Sequence, residues 1–566
     1  MSSKDTLIYD LSTSGSSAEP NVMMKKTMLT IFDSNTTYNS GQSRISTSAI
    51  SNSTYLDMKN AYLSVPLLIT IQGEIQPAQA ATNLDYSVGL IPFSHNLIHS
   101  MSVSVNGEIV KSFCNFENLF HHFRLLSLLS ANELKTLGHI GFHEDDITCF
   151  RWSASATTEG NGVSRNRVVG AFDNVKTALA NYSTHNKGFL DSMKSTNYNE
   201  SGVIGSSTEK YSSLLSSNNV NQLRRSRIFN NVDRTGAGDA NGVKQIQIDC
   251  VIPLKTFNFF ENLPLVKGSL YEIICNWNQC AFDVSTDANK KLSCGNVNVT
   301  HPFNGTNCLM LASAGTNEPN SALLASKTYR VSLAVGNKCL DTAQINAGGA
   351  NIQQSKLQQQ VELRVPSYAL NAEYEASYIS NPIKEVVFKD LQHYQLTNVG
   401  SDTGFTHLIT SGTANLCSLL VIPQFTAEAH CTTALTPTLS PFDTGVYPSP
   451  LATVGNFNVR VAGEPVFNED QKYDRDLFLE EIAGARSINS GLTQGLASGM
   501  ISRTAYQMAP YIYVNLARGD PISKGIPKSV QISGTNFSAK ACSYHIFLEY
   551  ERKVSVDVLT GQFMSM

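Results

Sequence analysis

Charge is what this sequence is shortest of. Asp, Glu, Lys and Arg make up 16 % of its 566 residues, against about a quarter in ordinary soluble proteins. The net charge is −4 and the isoelectric point about 6.3, so no overall basic field exists to hold nucleic acid or an anionic membrane. One short basic run, Arg224-Arg225-Ser226-Arg227, reads as a solvated or interface loop. No apolar run reaches the ~18 residues of a spanning helix, and residues 1–30 carry no apolar core after Lys4, so no secretory signal is expected. The 11 cysteines form no CxxC pair, the closest two being Cys275 and Cys280. An odd, scattered set without a leader predicts reduced thiols in a cytosolic or nuclear setting. The Asn298 and Asn304 sequons are then expected to stay unmodified.

Catalytic signatures are scarce as well. There is no HExxH and no GxSxG. His139 and His143, beside Glu144, Asp145 and Asp146, have a metal-like spacing, but Gly138 and Gly141 argue against the helix that spacing needs. Gly236-Ala237-Gly238 is followed by a strand, whereas a phosphate cradle needs a helix N-terminus behind its glycines. Ser207-Thr208-Glu209-Lys210 matches SxxK in letters only, since it sits in a polar stretch with no pocket to depress the lysine. Of the paired acids, Glu480-Glu481 and Asp145-Asp146 read as solvated faces. With two tryptophans in all, one of them Trp152, an aromatic sugar-binding platform is poorly supplied. No catalytic, cofactor or metal residue is assigned.

What the chain does have is strand periodicity. Residues 244–278 (KQIQIDCVIPLKTFNFFENLPLVKGSLYEIICNWN) form its organising stretch. Ile246, Ile248, Cys250 and Ile252 alternate with polar residues; an aromatic patch follows at Phe257, Phe259 and Phe260, closed by Pro264. Lys267-Gly268 turns the chain into a second strand carrying Leu270, Ile273 and Ile274. The reading is strand, short helix plugging a core, tight turn, strand.

Before this stretch, residues 1–40 are polar and predict a flexible arm. Strands are expected at 42–50 and 61–73, with Pro66 marking an edge or a bulge. Residues 100–111 form the clearest hairpin: Met101, Val103 and Val105 point inward and Asn106-Gly107 makes the turn. A helix capped by Asn115 follows, with Phe116, Leu119, Phe120 and Phe123 on one face, and Ser130-Ala131-Asn132-Glu133 could cap another. Residues 154–242 are Ser-, Asn- and Gly-rich and too long for a connecting loop, so they read as an insertion on an outer surface.

After it, strands are predicted at 328–335, 361–365, 385–396, 416–425, 457–461, 511–516 and 530–532, with a long terminal strand or pair over 544–559. A helix is expected over 473–482, then glycines at 491, 495 and 499 that suit close packing of a helix or loop. Asn381-Pro382 looks like a seam. Many short strands and few helices, in two halves of matching layout, predict an all-β chain of tandem sandwiches.

The organising stretch resembles the strand–helix–strand signature in the first jelly roll of double jelly-roll major capsid proteins, of the polinton-like virus and virophage type. AYLSVPLLITIQG and HNLIHSMSVSVNGEIV are similar to that family's early strands, and VELRVPSYALNAEYEASY to the end of its first roll. FNVRVAGEPV, APYIYVNLARGDP and SYHIFLEYERKVSVDVLTGQ match the pattern of its second. The motifs run in order over nearly the whole chain, the polar insertion excepted.

The resemblance implies two tandem eight-stranded jelly rolls with short helices and a long loop insertion in the first. Its divisions would be an arm over 1–40, a first roll over 41–381 whose insertion makes an outer tower, and a second roll with its tail over 382–566. It implies a structural protein without enzymatic activity or cofactor, a homotrimer forming a pseudo-hexameric capsomer that tiles an icosahedral virion shell assembled inside the host cell. Expected partners are neighbouring capsomers, penton and minor capsid or cement proteins, reached in part through the arm and the 562–566 tail. No sequence-specific nucleic-acid binding and no transmembrane segment are expected. Two alternatives stand beside this: another virion β-sandwich protein such as a penton or spike, and a carbohydrate-binding β-sandwich protein or glycosidase, the last needing two facing carboxylates.

Overall fold

A computed structural model of the chain describes residues 22–34, 38, 41–47, 54–73, 88–90, 93–129, 226–227, 242–286, 292–296, 305–311, 328–336, 360–426, 448, 452–484, 499, 501, 506, 510–518, 525–538 and 540–565. The later half shows its plan most simply. Its strands are Ile383–Val399, Gly404–Thr413, Leu416–Phe425, Val454–Val461, Glu464–Pro465, Ile512–Asn515, Lys528–Asn536 and Cys542–Asp557. Counted first to eighth, one sheet runs first–eighth–third–sixth and the other second–seventh–fourth–fifth. All pairs are antiparallel. That order is a jelly roll, in which one long antiparallel ribbon folds over on itself into two four-stranded sheets. A further strand, Phe563–Ser565, turns back onto the eighth.

The earlier half repeats the plan with Met23–Phe32, Gln42–Ser46, Tyr62–Gly73, Ile98–Val105, Glu108–Lys111, Gly242–Pro253, Tyr271–Trp277 and Glu362–Leu370. Its sheets again run first–eighth–third–sixth and second–seventh–fourth–fifth. Between its seventh and eighth strands, Cys280–Thr286, Leu292–Asn296 and Thr328–Val335 widen the first sheet. The chain is thus all-β, a double jelly roll. In each roll the span between fifth and sixth strands carries a helix: α1, Glu117–Leu128, in the first, and one over Arg475–Gly484 in the second.

The organising stretch folds as its pattern dictates. A short helix α2, Asn258–Glu261, follows the sixth strand, and Phe257, Phe259 and Phe260 are fully buried. Gly268 takes the positive φ, +77°, that its turn requires. Leu270 falls just outside the strand and is exposed. In the 98–111 hairpin Asn106 and Gly107 both have positive φ, and Met101, Val103 and Val105 are buried. A helix α3, Ala372–Ile379, follows the first roll's last strand and buries none of its residues. The Arg475–Gly484 helix of the second roll is α4.

Four expectations need correction. Met23–Phe32, assigned to a flexible arm, is the first strand of the first roll, paired along the eighth. Pro66 is neither at an edge nor in a bulge. It lies mid-strand, with Asp249 opposite on one side. On its other side the third strand passes from one partner, over 62–64, to another, over 67–72. Its carbonyl there accepts from Gly336 N–H, so the missing N–H interrupts no ladder bond. Asn115 does not cap α1; Phe116 precedes the helix in a left-handed conformation, φ +57°, without a side-chain cap bond. The tail over 562–565 is taken up by this chain's own fold, with Phe563 buried.

Candidate functional site: the seam between the rolls

The two rolls share one continuous apolar core, and α1 is the element that joins them. Leu119, Phe120, Phe123 and Leu126 are buried along it, at the spacing of one helical face. Across the seam, Phe120 meets Phe547 with ring centres 6.0 Å apart, and Phe123 meets Tyr511 at 4.9 Å and Tyr513 at 5.7 Å. A second contact comes from α2, where Phe259 stands edge-on to Phe388 at 5.2 Å. A third joins Tyr271 to Phe563 at 6.3 Å. The middle of the second roll's first–eighth–third–sixth sheet is therefore covered on both faces, and Cys542 through Glu549 are all buried, without alternation.

Polar groups line this interface. Lys111 Nζ lies 2.8 Å from Glu117 and donates to Met101 O at 2.9 Å; Glu117 also meets His121 Nε2 at 3.0 Å. All three side chains are buried. Burial alone would raise the Glu117 carboxyl, but Lys111 and His121 hold it at about 2. Burial would likewise lower Lys111, but Glu117 and, across the seam, Asp390 together outweigh it and raise it, so the ammonium is kept. A buried pair of this kind stabilises only while both members are present. Nearby, Arg552 of the second roll donates to Val110 O of the first at 3.1 Å and to Asp390 at 2.9 Å.

Histidines line the same joint. His393 Nε2 and His545 Nδ1, on two paired strands of the second roll, are 3.1 Å apart with their rings stacked. Phe116 lies between these two and His99 of the first roll, with ring centres 5.3, 4.8 and 4.9 Å away. His95, His121 and His122 pack together deeper in, 6.1 to 6.4 Å apart around His95. Burial lowers His99 and His545 to about 4, and His393 to about 2 with the two neighbouring imidazoles adding to the effect. His95 and His121 are lowered by burial too.

An open cleft of about 430 Å³ at the seam is lined by Phe123, Arg124, Asn258, Glu261, Lys389 and Glu549, among others. Four of its five charged residues pair with one another, Arg124 with Glu261 and Lys389 with Glu549, and Glu551 is the fifth.

Of the motifs singled out in the sequence, His139/His143, Asp145-Asp146, Trp152, Ser130-Glu133, Ser207–Lys210, Arg224-Arg225 and Gly236–Gly238 lie outside the described residues, as does nearly all of the 154–242 insertion. Glu480 is exposed, as expected of a solvated acid. Glu481 is not: it is buried, pairs with Arg518 and accepts the Asn515 N–H at 2.9 Å. Gly499 packs against the carbonyls of Leu126 and Ser127 at the end of α1, the close approach its spacing suggested. Among the described residues, no group of three or more His, Cys, Asp or Glu is placed to hold a metal ion, and no helix is long and apolar enough to cross a membrane; Cys114, Cys250, Cys275, Cys280, Cys308, Cys417 and Cys542 are free thiols. The seam histidines went unremarked in the sequence. The signal available was their density, with His95, His99, His121 and His122 falling in one short stretch.

A scan against protein-family models finds no match, and neither does a search of the curated proteins. Among solved structures, the chain is similar to one from the Sputnik virophage, at 12 % identity, covering 98 % of this chain and 90 % of that one with a TM-score of 0.48. It is also similar to the mavirus major capsid protein, at 11 % identity, 98 % and 92 % coverage and a TM-score of 0.48. For the PBCV-1 virus capsid the values are 9 %, 98 % and 100 %, and 0.40. What assigns the fold is the strand order of the chain itself.

Proposed function

We propose that the chain is a major capsid protein, a structural subunit that trimerises into a pseudo-hexameric capsomer and tiles an icosahedral virion shell. The observation that carries this reading is that one strand order occurs twice, in two rolls fused through a buried aromatic seam. Three copies of such a block supply six similar sandwiches, the number a hexagonal tile needs. The collinear sequence motifs point the same way. So does the low charge of the chain, which limits the desolvation cost of large subunit contacts. The edge strand Met23–Phe32 leaves Met24, Met28 and Phe32 exposed, apolar surface of the kind a self-associating subunit covers.

In this reading the rolls correspond to about 41–381 and 382–566, with Met23–Phe32 added to the first and α3 near the join. The 154–242 insertion stands on the outer surface as a tower. The subunit works without catalysis or cofactor. Its partners are copies of itself, then neighbouring capsomers, penton and minor capsid or cement proteins, and its place is the virion, assembled inside the host cell.

Light scattering after size exclusion tests the proposal. A trimer weighs about 185 kDa, three times the 61.7 kDa chain, and its stability rises with protein concentration; negative-stain images then show a hexagonal outline. A 61.7 kDa monomer that stays monomeric at high concentration refutes it.

A further inference from the structure

The histidines at the seam occupy a place where an added proton has nowhere to go. His393 and His545 satisfy one another only if one ring donates and the other accepts. Protonating both sets two cations in a stack against Phe116, and a single phenyl ring cannot offer its face to these two and to His99 as well. The carboxylate acting on His99 is Glu117, which is already engaged by Lys111 and His121. Lys111 and Arg124, both cationic, also act on the layer through His121. Among the described residues, the polar groups around it include other imidazoles and neutral amides: Asn96 meets His122 Nδ1 at 2.9 Å, and Asn118 donates to Thr306 at 3.1 Å. Gly305 packs directly on the His99 ring, leaving it no room to swing out toward the 305–308 segment.

The layer is also at a joint, not inside one sandwich. His99 and Phe116 belong to the first roll, His393 and His545 to the second. Phe116 enters α1 from a left-handed backbone position, where a bulky side chain is held only by its surroundings.

We propose that this histidine layer makes the seam an acid-sensitive joint, so that mild acid separates the two rolls along α1 before either sandwich melts. The sign follows from linkage. The rings are neutral while the seam is closed and return to ordinary values near ~6.5 once it opens to water. The open form therefore binds more protons, and the closed form loses stability as pH falls below about 6.5. The loss continues until pH reaches the closed-state values, about 4 for His99 and His545. The proposal does not depend on the shell reading, because the seam is present in a single chain.

Hydrogen–deuterium exchange on the full-length protein, between pH 7 and 4 and corrected for intrinsic exchange, tests it. Amides of 116–128, 393–399 and 542–549 should lose protection at a higher pH than those of the outer strand Lys528–Asn536. In the H393L/H545L variant the pH of half-opening should fall by about half a unit or more, since two proton acceptors are gone. His407→Gln, on an outer strand of the second roll, should leave it unchanged. Simultaneous loss of protection everywhere, or an outer sheet that opens first, overturns the proposal, as does a leucine variant with the wild-type midpoint. If the leucine variant does not fold at neutral pH, the order of opening in the wild-type chain and the midpoint of His99→Gln decide, an unchanged His99→Gln midpoint counting against it.

Discussion

Phe123 of α1 and Phe478 of α4 stand edge-to-face with ring centres 6.3 Å apart, at 67°. Each residue sits on the helix that its own roll inserts between fifth and sixth strands, so this pair is where the repeated feature of one roll touches its counterpart in the other.

Truncating either ring to alanine should cost about 3–5 kcal/mol of stability, as for other buried phenylalanines. Because the rings touch, the double variant should cost less than the sum, by about 0.5–1.5 kcal/mol. Urea unfolding of the wild type, both single variants and the double variant measures this. Strict additivity would show that the two helices are energetically independent.

Lys111→Met should be more damaging than its modest change in volume suggests. It leaves Glu117 buried beside a single imidazole, a loss of about 3–5 kcal/mol, whereas K111M/E117L should recover most of that. Acid has a predictable sign here. A carboxyl held at about 2 contributes stability that is complete above the ordinary value of about 4.3 and lost as pH falls toward 2. Thermal melts between pH 5 and 2 should therefore fall less steeply for the double variant than for the wild type. Parallel slopes would mean that Glu117 is not the group responsible.

Gly499 has a φ of +58° and faces two backbone carbonyls of α1. Alanine there meets a disfavoured conformation and immovable atoms at once, so Gly499→Ala should cost more than about 1 kcal/mol. Gly107 provides the contrast. It also has positive φ, but open space surrounds it, and Gly107→Asn should stay within about 0.5 kcal/mol. Equal losses in chemical denaturation would show that backbone angle alone matters at both sites.

Much of the fold could be read from period two. Met101, Val103 and Val105, or Leu63, Val65 and Leu67, declare a buried face by alternation alone. Met23–Phe32 escaped because its inward residues, Leu29 and Ile31, are only half-buried, and a register shift between Met23 and Lys25 breaks the pattern further. The seam escaped for a different reason. In 542–549 Tyr544, Ile546 and Leu548 alternate in the usual way, which leaves His545, Phe547 and Glu549 to be taken for the wet face. Periodicity tells which side of a strand is covered first; it does not tell that a helix more than 400 residues earlier covers the other. Likewise Asn115 has the right chemistry for a helix cap, yet the packing of Phe116 among three histidines sets the entry to α1 instead.

The last turn of the chain binds the first roll. Asn106 donates to Gly561 O and Ser269 donates to the same carbonyl, 292 residues along the chain, while Phe563 closes over Tyr271 and nears Phe259. During synthesis, then, the first roll emerges with this apolar end bare, and it stays bare until nearly the whole of the second roll has been made. A chain cut short before Gly561 keeps that surface bare, because Tyr271 and Ser269 then lose their partners in Phe563 and Gly561. The hairpin over 557–565 thereby works as a latch, by which the second roll closes an end of the first.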